Sequence, residues 1–370
     1  MRGLGHGVSG GLDGYRDQIA WLLEDDAPFV KYNTLIEVLG RSKDESEVRE
    51  SLRRMMETPP VSSILRNQQG DTGLDKSAAK NFGVEAARSG YFPKYTGATW
   101  RALFLAQVGA EPGSPGVRDL CEYLLRNAFD GRIEAFGFRL EWKRGAEDAM
   151  MPCFIGNMVW ALCRLGFSGR REVRESFDFL VKYQRFDDGG FNAPNDWPYR
   201  WRRERCWGSH TCYWGVTKML RAMTAIPESY WTAEAEEAMR RGVEFVLLHR
   251  LMYSSHDPRK PITTKNTRPT RLFAPLTYFD DAIEIASTLL KLGVSDPVID
   301  AAVDFVLSKR NEGGRWVLEG APGPLDARFG TKGKESKWMT FRALRMMRLA
   351  GRLEVPQHQR SSVQTENSVS

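Results

Sequence analysis

The sequence lacks a long hydrophobic segment: no stretch approaches the ~18 uninterrupted apolar residues of a membrane-spanning helix. Its first 15 residues contain one Arg and no long apolar run, which argues against a secretory signal peptide. Only five cysteines occur in 370 residues, and this odd number without regular short spacing does not indicate a disulfide framework. These absences predict a cytoplasmic protein without a transmembrane segment.

The positive charge of the chain is concentrated at one place only, the arginine-rich segment 200–205, whose basic and aromatic residues could also bind a single-stranded nucleic acid. The formal net charge is +6 and the pI about 9.0, values compatible with a nucleic acid, an anionic membrane or a phosphate-bearing substrate. The remaining basic residues are scattered along the predicted outer helices and accompanied by Glu, as in segments 171–176 and 236–241. We therefore expect no nucleic-acid partner, while peripheral contact with a membrane stays possible.

An internal repeat is the strongest signal that is present. Six apolar segments with helical spacing recur roughly every 60 residues, and five of them end at or beside a Gly, as helices often do. They span 29–40, 99–110, 156–167, 215–226, 282–293 and 340–351. Because they are apolar on nearly all sides, we expect inner helices that contact both an outer layer and a central cavity.

A second, amphipathic type of helix is predicted between these segments. It is expected at 45–59, 117–129, 173–186, 236–251 and 298–310. The sequence therefore predicts an all-α fold in which about six hairpins of an inner and an outer helix close into an (α/α)6 toroid, since no polar capping repeat is evident. Residues 13–352 would form this single domain, and the polar segment 353–370 a disordered tail.

The connecting segments are expected to be irregular and to gather at one mouth of the toroid. The longest of them span 66–95, 130–150, 187–207, 252–275 and 311–335. Two segments contain a Gly-Gly-aromatic pattern after an outer helix, at 177–191 and 303–316, and the first is followed by Ser-His-Thr-Cys-Tyr-Trp-Gly at 209–215. In these features the chain resembles the superfamily of terpene cyclases and protein prenyltransferases. The resemblance implies an α/α toroid around an apolar cavity that handles isoprenoid chains.

The first implication concerns Asp280. Cyclases of the protonation type carry Asp-x-Asp-Asp at the start of an inner helix, and Tyr278, Phe279, Asp280 and Asp281 stand at the corresponding place. By this resemblance Asp280 would be the general acid, Asp281 its partner carboxylate, and Tyr278 would replace the first Asp. The alternative is that the two Asp residues only cap the helix.

The second implication concerns zinc. Prenyltransferase β subunits bind zinc through Asp-x-Cys and a later His. In this chain His210 and Cys212 stand at the positions of the Asp and the Cys, and Asp280 or Asp281 begins the next inner helix. Three protein ligands with an open position are typical of catalytic zinc. The alternative is that His210 and Cys212 have packing roles. Mg²⁺ accompanying a diphosphate substrate is a further possibility.

Substrate-binding residues are expected around the mouth. Arg200, Arg202, Arg203 and Arg205 lie between aromatic residues just before His210, and in the prenyltransferase resemblance such residues bind a diphosphate. Aromatic faces stabilise carbocations, although a helical aromatic stripe is more often core. The candidates for the pocket lining are Trp100, Cys153, Tyr213, Trp214, Phe279 and Trp338.

Three functions follow from the sequence and the resemblance. The first is an isoprenoid cyclase that uses Asp280 as its acid. The second is a zinc-dependent, prenyltransferase-like enzyme that uses His210, Cys212 and Asp280 or Asp281. The third is a non-catalytic toroid that binds a lipid or another protein through its cavity.

Overall fold

The computed structural model describes residues 10–66, 75–142, 145–189, 197–199, 206–207, 210–262 and 268–354. This part of the chain is mostly helical, with 15 α-helices and a few short strands, so the predicted all-α class is confirmed. Within it, no helix combines the length and the apolar character required to cross a bilayer.

All six apolar segments form buried helices, which we call the inner helices. They are α2 (Pro28–Asn33, continued by a π-helix over Thr34–Val38), α7 (Ala98–Val108), α9 (Pro152–Arg164), α11 (Tyr213–Met223), α13 (Ala282–Lys291) and α15 (Lys337–Leu349). Five of them are followed by a Gly with φ between +68° and +93°, the left-handed conformation that ends a helix without a Cβ penalty.

The five amphipathic segments form outer helices with one solvent-exposed face. They are α3 (Ser46–Glu57), α8 (Pro115–Asn127), α10 (Arg171–Tyr183), α12 (Ala233–Leu248) and α14 (Pro297–Ser308). In α8, for example, Val117 and Leu120 are buried while Arg118 and Asp119 are exposed. Near the N-terminus, α1 (Arg16–Leu22) packs against α15 and supplies an outer partner for that helix.

The inner helices contact one another in chain order, and the last contacts the first. Helix α2 packs on α7, α7 on α9, α9 on α11, α11 on α13, α13 on α15, and α15 on α2 and its π-helical continuation. The contact between the two ends of the chain includes an ion pair of Arg345 with Glu37 at 3.4 Å. A parallel pairing of β1 (Gly10–Gly11) with β6 (Leu353–Glu354) joins the ends again, so the first two residues of the expected tail form a strand.

The connecting segments contain more regular structure than expected. Segment 66–95 includes α5 (Lys76–Phe82) and α6 (Val84–Arg88), preceded by α4 (Val61–Arg66), and segment 130–150 includes a hairpin. The hairpin pairs β4 (Phe138–Trp142) with β5 (Gly145–Ala149), and a shorter one pairs β2 (Phe129–Asp130) with β3 (Ala135–Phe136). The physical reason is period-two alternation, because Phe138 and Leu140 are buried while Glu141 is exposed.

Candidate functional site

Three imidazole rings converge on the carboxylate of Asp188. His210 Nδ1 lies 3.6 Å and His249 Nε2 3.5 Å from Asp188 Oδ1, while His256 Nε2 lies 3.7 Å from Oδ2. The ligand atoms of Asp188, His210 and His256 all lie within 4.8 Å of one another. His210, His249 and His256 are all the histidines in the described part of the chain, so their convergence on one carboxylate is a specific arrangement.

The backbone holds Asp188 and His210 side by side. The two residues form an antiparallel β-bridge, and the amide of Thr211 donates to the carbonyl of Asp187 at 3.1 Å. Asp187 itself is paired with Arg185, whose Nε lies 2.7 Å from its carboxylate. Only the second Asp of the Asp-Asp-Gly-Gly segment therefore faces the histidines.

The ring of His249 is oriented by a hydrogen bond on its far side. Its Nδ1 lies 2.8 Å from the carbonyl oxygen of Phe245, which can only accept, so Nδ1 carries the proton. In the neutral ring the lone pair is then on Nε2, which faces Asp188. This hydrogen bond fixes the orientation of the His249 ring, which lies beside the three-ligand group of Asp188, His210 and His256 without belonging to it.

The spacing of the cluster suits a metal ion better than direct hydrogen bonds. The three N···O separations of 3.5–3.7 Å exceed the ~2.7–3.2 Å of a hydrogen bond. Two ligands ~2.1 Å from a tetrahedral zinc ion stand about 3.4 Å apart, and in the three-ligand group His210 and His256 lie 3.6 and 3.7 Å from the two carboxylate oxygens of Asp188, with all ligand atoms within 4.8 Å of one another. Two His and one carboxylate are also a known ligand set of catalytic zinc. The His210 and His256 side chains are 60% and 68% exposed, so an exogenous molecule can reach the cluster.

The turn at Gly189 makes a first prediction. Gly189 has φ +92°, and a Cβ at this position would lie 2.6 Å from Cε1 of His210. We expect Gly189→Ala to displace the imidazole and to weaken zinc binding at least tenfold, measured by competition with a chromogenic chelator. Gly333→Ala is the matched control, because Gly333 also has a positive φ, +81°, and a Cβ there meets no atom within 4 Å. Equal affinities of the two variants would show that this turn does not position the ligands.

The ligand set differs from the one expected from the sequence. Among the residues that the structure describes, the three-ligand cluster contains His210 but neither Cys212 nor Asp280. Burial raises the pKa of the Cys212 thiol, although the backbone amides of Gly215 and Trp214 act in the opposite direction, so the protonated thiol is favoured. The expected association of His210, Cys212 and Asp280 is therefore replaced by one of His210 with Asp188 and His256.

Asp280 is buried and is paired with two side chains of α11. Its carboxylate contacts Lys218 Nζ through Oδ1 and accepts from the Thr217 hydroxyl at 2.7 Å through Oδ2. The Lys218 side chain is fully buried and that of Asp280 2% exposed. Both carboxylate oxygens therefore contact side chains of α11, an arrangement that does not favour the expected role of Asp280 as an acid facing a substrate.

Asp281 serves as the helix cap that the alternative interpretation anticipated. Its Oδ1 accepts from the Glu284 amide at 3.0 Å, and its Oδ2 accepts from the Phe273 amide at 2.9 Å. Both oxygens also bind Arg342 of α15, at 2.7 and 2.8 Å. This carboxylate therefore fixes the start of α13 to the neighbouring inner helix.

Glu284 is the centre of a larger buried ion network. It lies 2.8 Å from Arg221, 3.3 Å from Arg342 and 3.4 Å from Arg345. Burial alone would raise the pKa of Glu284, but the charges of these three arginines outweigh it and hold the pKa well below the ordinary value. For Glu37 the balance is similar, because Arg345 and its neighbours outweigh burial and lower the pKa.

This network predicts a loss of stability in acid. A carboxyl group whose pKa is lower in the folded than in the unfolded state stabilises the fold above the unfolded pKa of ~4.3, and that contribution is lost as the pH falls further. We expect the Tm to fall steeply below pH ~4.3, and Glu284→Gln, less stable at neutral pH, to show a shallower fall. Thermal unfolding from pH 7 to 3 measures both slopes, with the exposed Glu57→Gln as control. Parallel slopes for all three proteins would contradict the prediction.

The predicted pocket aromatics form a continuous wall. The ring centroids of Tyr213 and Trp214 lie 5.3 Å apart, those of Trp214 and Phe279 5.3 Å, and those of Phe279 and Tyr278 5.8 Å. At one end the ring of Tyr213 lies 5.4 Å from that of His249. At the other end the Tyr278 hydroxyl contacts that of Tyr91, and the Tyr278 ring packs on Trp100. The wall therefore links the histidine cluster to Tyr91.

Tyr91 borders a cavity that is lined mostly by apolar side chains. The cavity has a volume of about 510 Å³, within the range of ~300–1,000 Å³ of small-molecule sites. Its lining includes Phe82, Tyr91, Phe92, Lys94, Phe138, Leu140 and Met151. The sequence did not indicate these residues as a pocket, because they come from connecting segments that were expected to be irregular.

The other predicted site residues have separate locations. Cys153 is buried at the start of α9, where burial raises the pKa of its thiol. Trp338 stacks on Phe329 at 4.5 Å between ring centroids, away from the histidine cluster. Arg200, Arg202, Arg203 and Arg205 lie outside the described residues.

No protein-family model matches the sequence, and no curated protein shows significant similarity to it.

Proposed function

We propose that this chain is a zinc-dependent enzyme built on an α/α toroid and acting on an apolar, isoprenoid-like substrate. The observation that carries the proposal is the convergence of His210, His249 and His256 on Asp188 at 3.5–3.7 Å. We prefer the zinc-dependent hypothesis to the cyclase hypothesis, because Asp280, the acid that the cyclase would need, is paired with Lys218.

The toroid is supported by the order of packing. Each inner helix contacts the next, and α15 returns to α2, where Arg348 Nη1 donates to the Glu37 carbonyl at 3.1 Å. Six hairpins in such an order leave no unpaired end, as the repeat pattern of the sequence predicts. Such a toroid is the architecture that the resemblance to terpene cyclases and prenyltransferases implies.

In the proposed site, Asp188, His210 and His256 would hold the metal. Zinc held there would lower the pKa of a ligated water or thiol and so supply a nucleophile at neutral pH. His249 approaches the same carboxylate from the buried side and keeps its orientation through Phe245. The exposed edge formed by His210 and His256 admits the reacting group.

The substrate class rests on the aromatic wall. Rings from Tyr213 to Tyr278 extend from the histidine cluster to a cavity of about 510 Å³. Such a wall offers a binding surface for an extended apolar chain. The charged residues of the cavity lining are Asp75 and Lys94, and Lys94 Nζ lies 5.4 Å from the Tyr278 ring centroid.

The experiment is a turnover assay with isoprenoid diphosphates of several lengths, with and without an acceptor thiol, on zinc-loaded and chelator-treated protein. We expect consumption that requires zinc and is lost in Asp188→Ala. The matched control is Asp257→Asn, since Asp257 lies next to His256 in sequence and pairs with Arg259 instead. Zinc binding without turnover of any diphosphate would reject the enzymatic proposal and favour a non-catalytic, ligand-binding toroid.

A further inference from the structure

A second cavity lies between the inner helices and has a different chemical character from the aromatic one. It has a volume of about 50 Å³, and its walls come from α7, α9, α11, α13 and α15 and from the segment before α13. Five cationic side chains line it, namely Arg164, Arg221, Lys291, Arg342 and Arg345. This cavity is separate from the proposed zinc site, and the inference below does not depend on that proposal.

The charges around this cavity do not balance. Among the described residues, three carboxylates are paired with the five cations: Glu284, Glu37 and Asp281. Glu284 lines the cavity, Glu37 pairs with Arg345 at 3.4 Å, and Asp281 with Arg342 at 2.7 Å. Five positive charges against three negative ones leave an excess of two. Each cation lies within 4.0 Å of a carboxylate, with Arg164 and Lys291 sharing Glu37, and these two side chains are 41% and 35% exposed, whereas the Arg221, Arg342 and Arg345 side chains are at most 12% exposed.

The cavity also contains hydrogen-bond donors without acceptors. Arg221 Nη1, Arg345 Nε and Trp338 Nε1 are buried and have no hydrogen-bond partner among the described residues, and the same holds for the Ser287 hydroxyl. All four residues line the cavity, and Arg221, Ser287 and Trp338 are at most 3% exposed. Three of these groups can only donate, so their partner must be an acceptor.

We propose that this cavity binds one small tetrahedral oxyanion, a phosphate group. A phosphate dianion carries the two negative charges that the side chains lack, and its oxygens accept from guanidinium, indole and hydroxyl donors. The guanidinium of Arg221 is fixed for this role, since its carbon lies 3.5 Å from the Trp160 ring centroid and its Nε 2.8 Å from Glu284.

The size of the cavity limits the ligand to such a group. A cavity of ~10–15 Å³ holds one water molecule, so about 50 Å³ accommodates a group equivalent to a few waters. Burial and the charge of Arg345, opposed by Glu37, lower the pKa of Lys291 to about 8. A bound anion would raise this pKa again.

Isothermal titration of the full-length protein with inorganic phosphate, at constant ionic strength set by chloride, tests the proposal. We expect saturable binding of one phosphate per chain, and at least tenfold weaker binding in Arg221→Gln, because a hydrogen bond to a charged group is lost. Ser287→Ala removes one uncharged donor and should also weaken binding while leaving the ion network intact. The Ser287→Ala variant therefore still tests the proposal if Arg221→Gln does not fold. Arg352→Gln, whose side chain pairs with Asp300 on the outside, is the matched control.

A parallel titration with phenyl phosphate distinguishes the source of the group. Binding of both compounds, lost together in the variants, would identify the cavity as the site of a phosphate group carried by a larger ligand. Binding of inorganic phosphate alone would identify a free anion. Absence of saturable binding of either compound, or equal affinities in the wild type, Arg221→Gln and Ser287→Ala, would overturn the proposal and leave water as the occupant.

Discussion

Replacing Asp188 by Ala is expected to abolish zinc binding at the proposed site. The carboxylate contributes one ligand of the proposed set and is the point on which all three histidines converge. His256→Ala should have a similar effect, since a two-ligand remnant binds zinc far more weakly than a three-ligand site. Protein purified without a polyhistidine tag should contain about one zinc per chain by plasma mass spectrometry, and either variant less than about a tenth of that.

Two controls distinguish this site from the one that the sequence suggested. Asp257→Asn should retain the metal, because Asp257 pairs with Arg259 and does not face the cluster. Cys212→Ala should also retain it, because Cys212 is not part of the three-ligand group. Loss of zinc in Cys212→Ala with retention in Asp188→Ala would contradict our assignment and restore the set of His210, Cys212 and Asp280.

Asp280→Asn is expected to destabilise the fold by about 3 kcal/mol, the lower end of the cost of breaking a buried ion pair. The substitution leaves Lys218, whose side chain is fully buried, without its carboxylate partner. Burial lowers the pKa of Lys218, so release of its proton would limit the cost. Urea unfolding at pH 7 measures the free energy of unfolding of the variant and the wild type.

The double variant Lys218→Met with Asp280→Asn should recover much of the lost stability, because no unpaired charge remains in the interior. The exposed pair of Arg352 and Asp304 provides a control, and Asp304→Asn should leave the midpoint nearly unchanged. An Asp280→Asn protein with full stability that fails to form a cyclised isoprenoid would contradict our account and support the acid role of Asp280.

The helices could be predicted from the sequence because their signals are local. Apolar periodicity and a following Gly identify α7 and α13, for instance, to within a few residues at each end. The hairpin at 138–149 was not recognised, because two five-residue strands alternate weakly inside a polar connecting segment.

The candidate site was predicted only in part, because it depends on contacts between distant segments. His210 was recognised through its place before an inner helix, and its partner was sought at the next inner helix. The actual partners are Asp188, at a turn after α10, and His256, in the connection after α12. The distribution of the histidines could have indicated the cluster, because only five occur in the sequence and three of them lie within 47 residues.

The polar interior was the largest departure from expectation. The resemblance implied an apolar cavity, whereas Lys218, Arg221, Glu284 and Arg342 lie buried between the inner helices. Each of these residues interrupts an otherwise apolar helix, which is unusual for a buried segment. Their mutual pairing depends on helix rotation and register, which helical periodicity alone does not determine.

The most direct test of the zinc centre is a crystal structure of the metal-loaded protein with diffraction data recorded on both sides of the zinc absorption edge. We predict a single strong anomalous peak ~2.0–2.2 Å from a carboxylate oxygen of Asp188 and from the ring nitrogens of His210 and His256. A peak between Cys212 and Asp280, or no peak beside Asp188, would contradict the account.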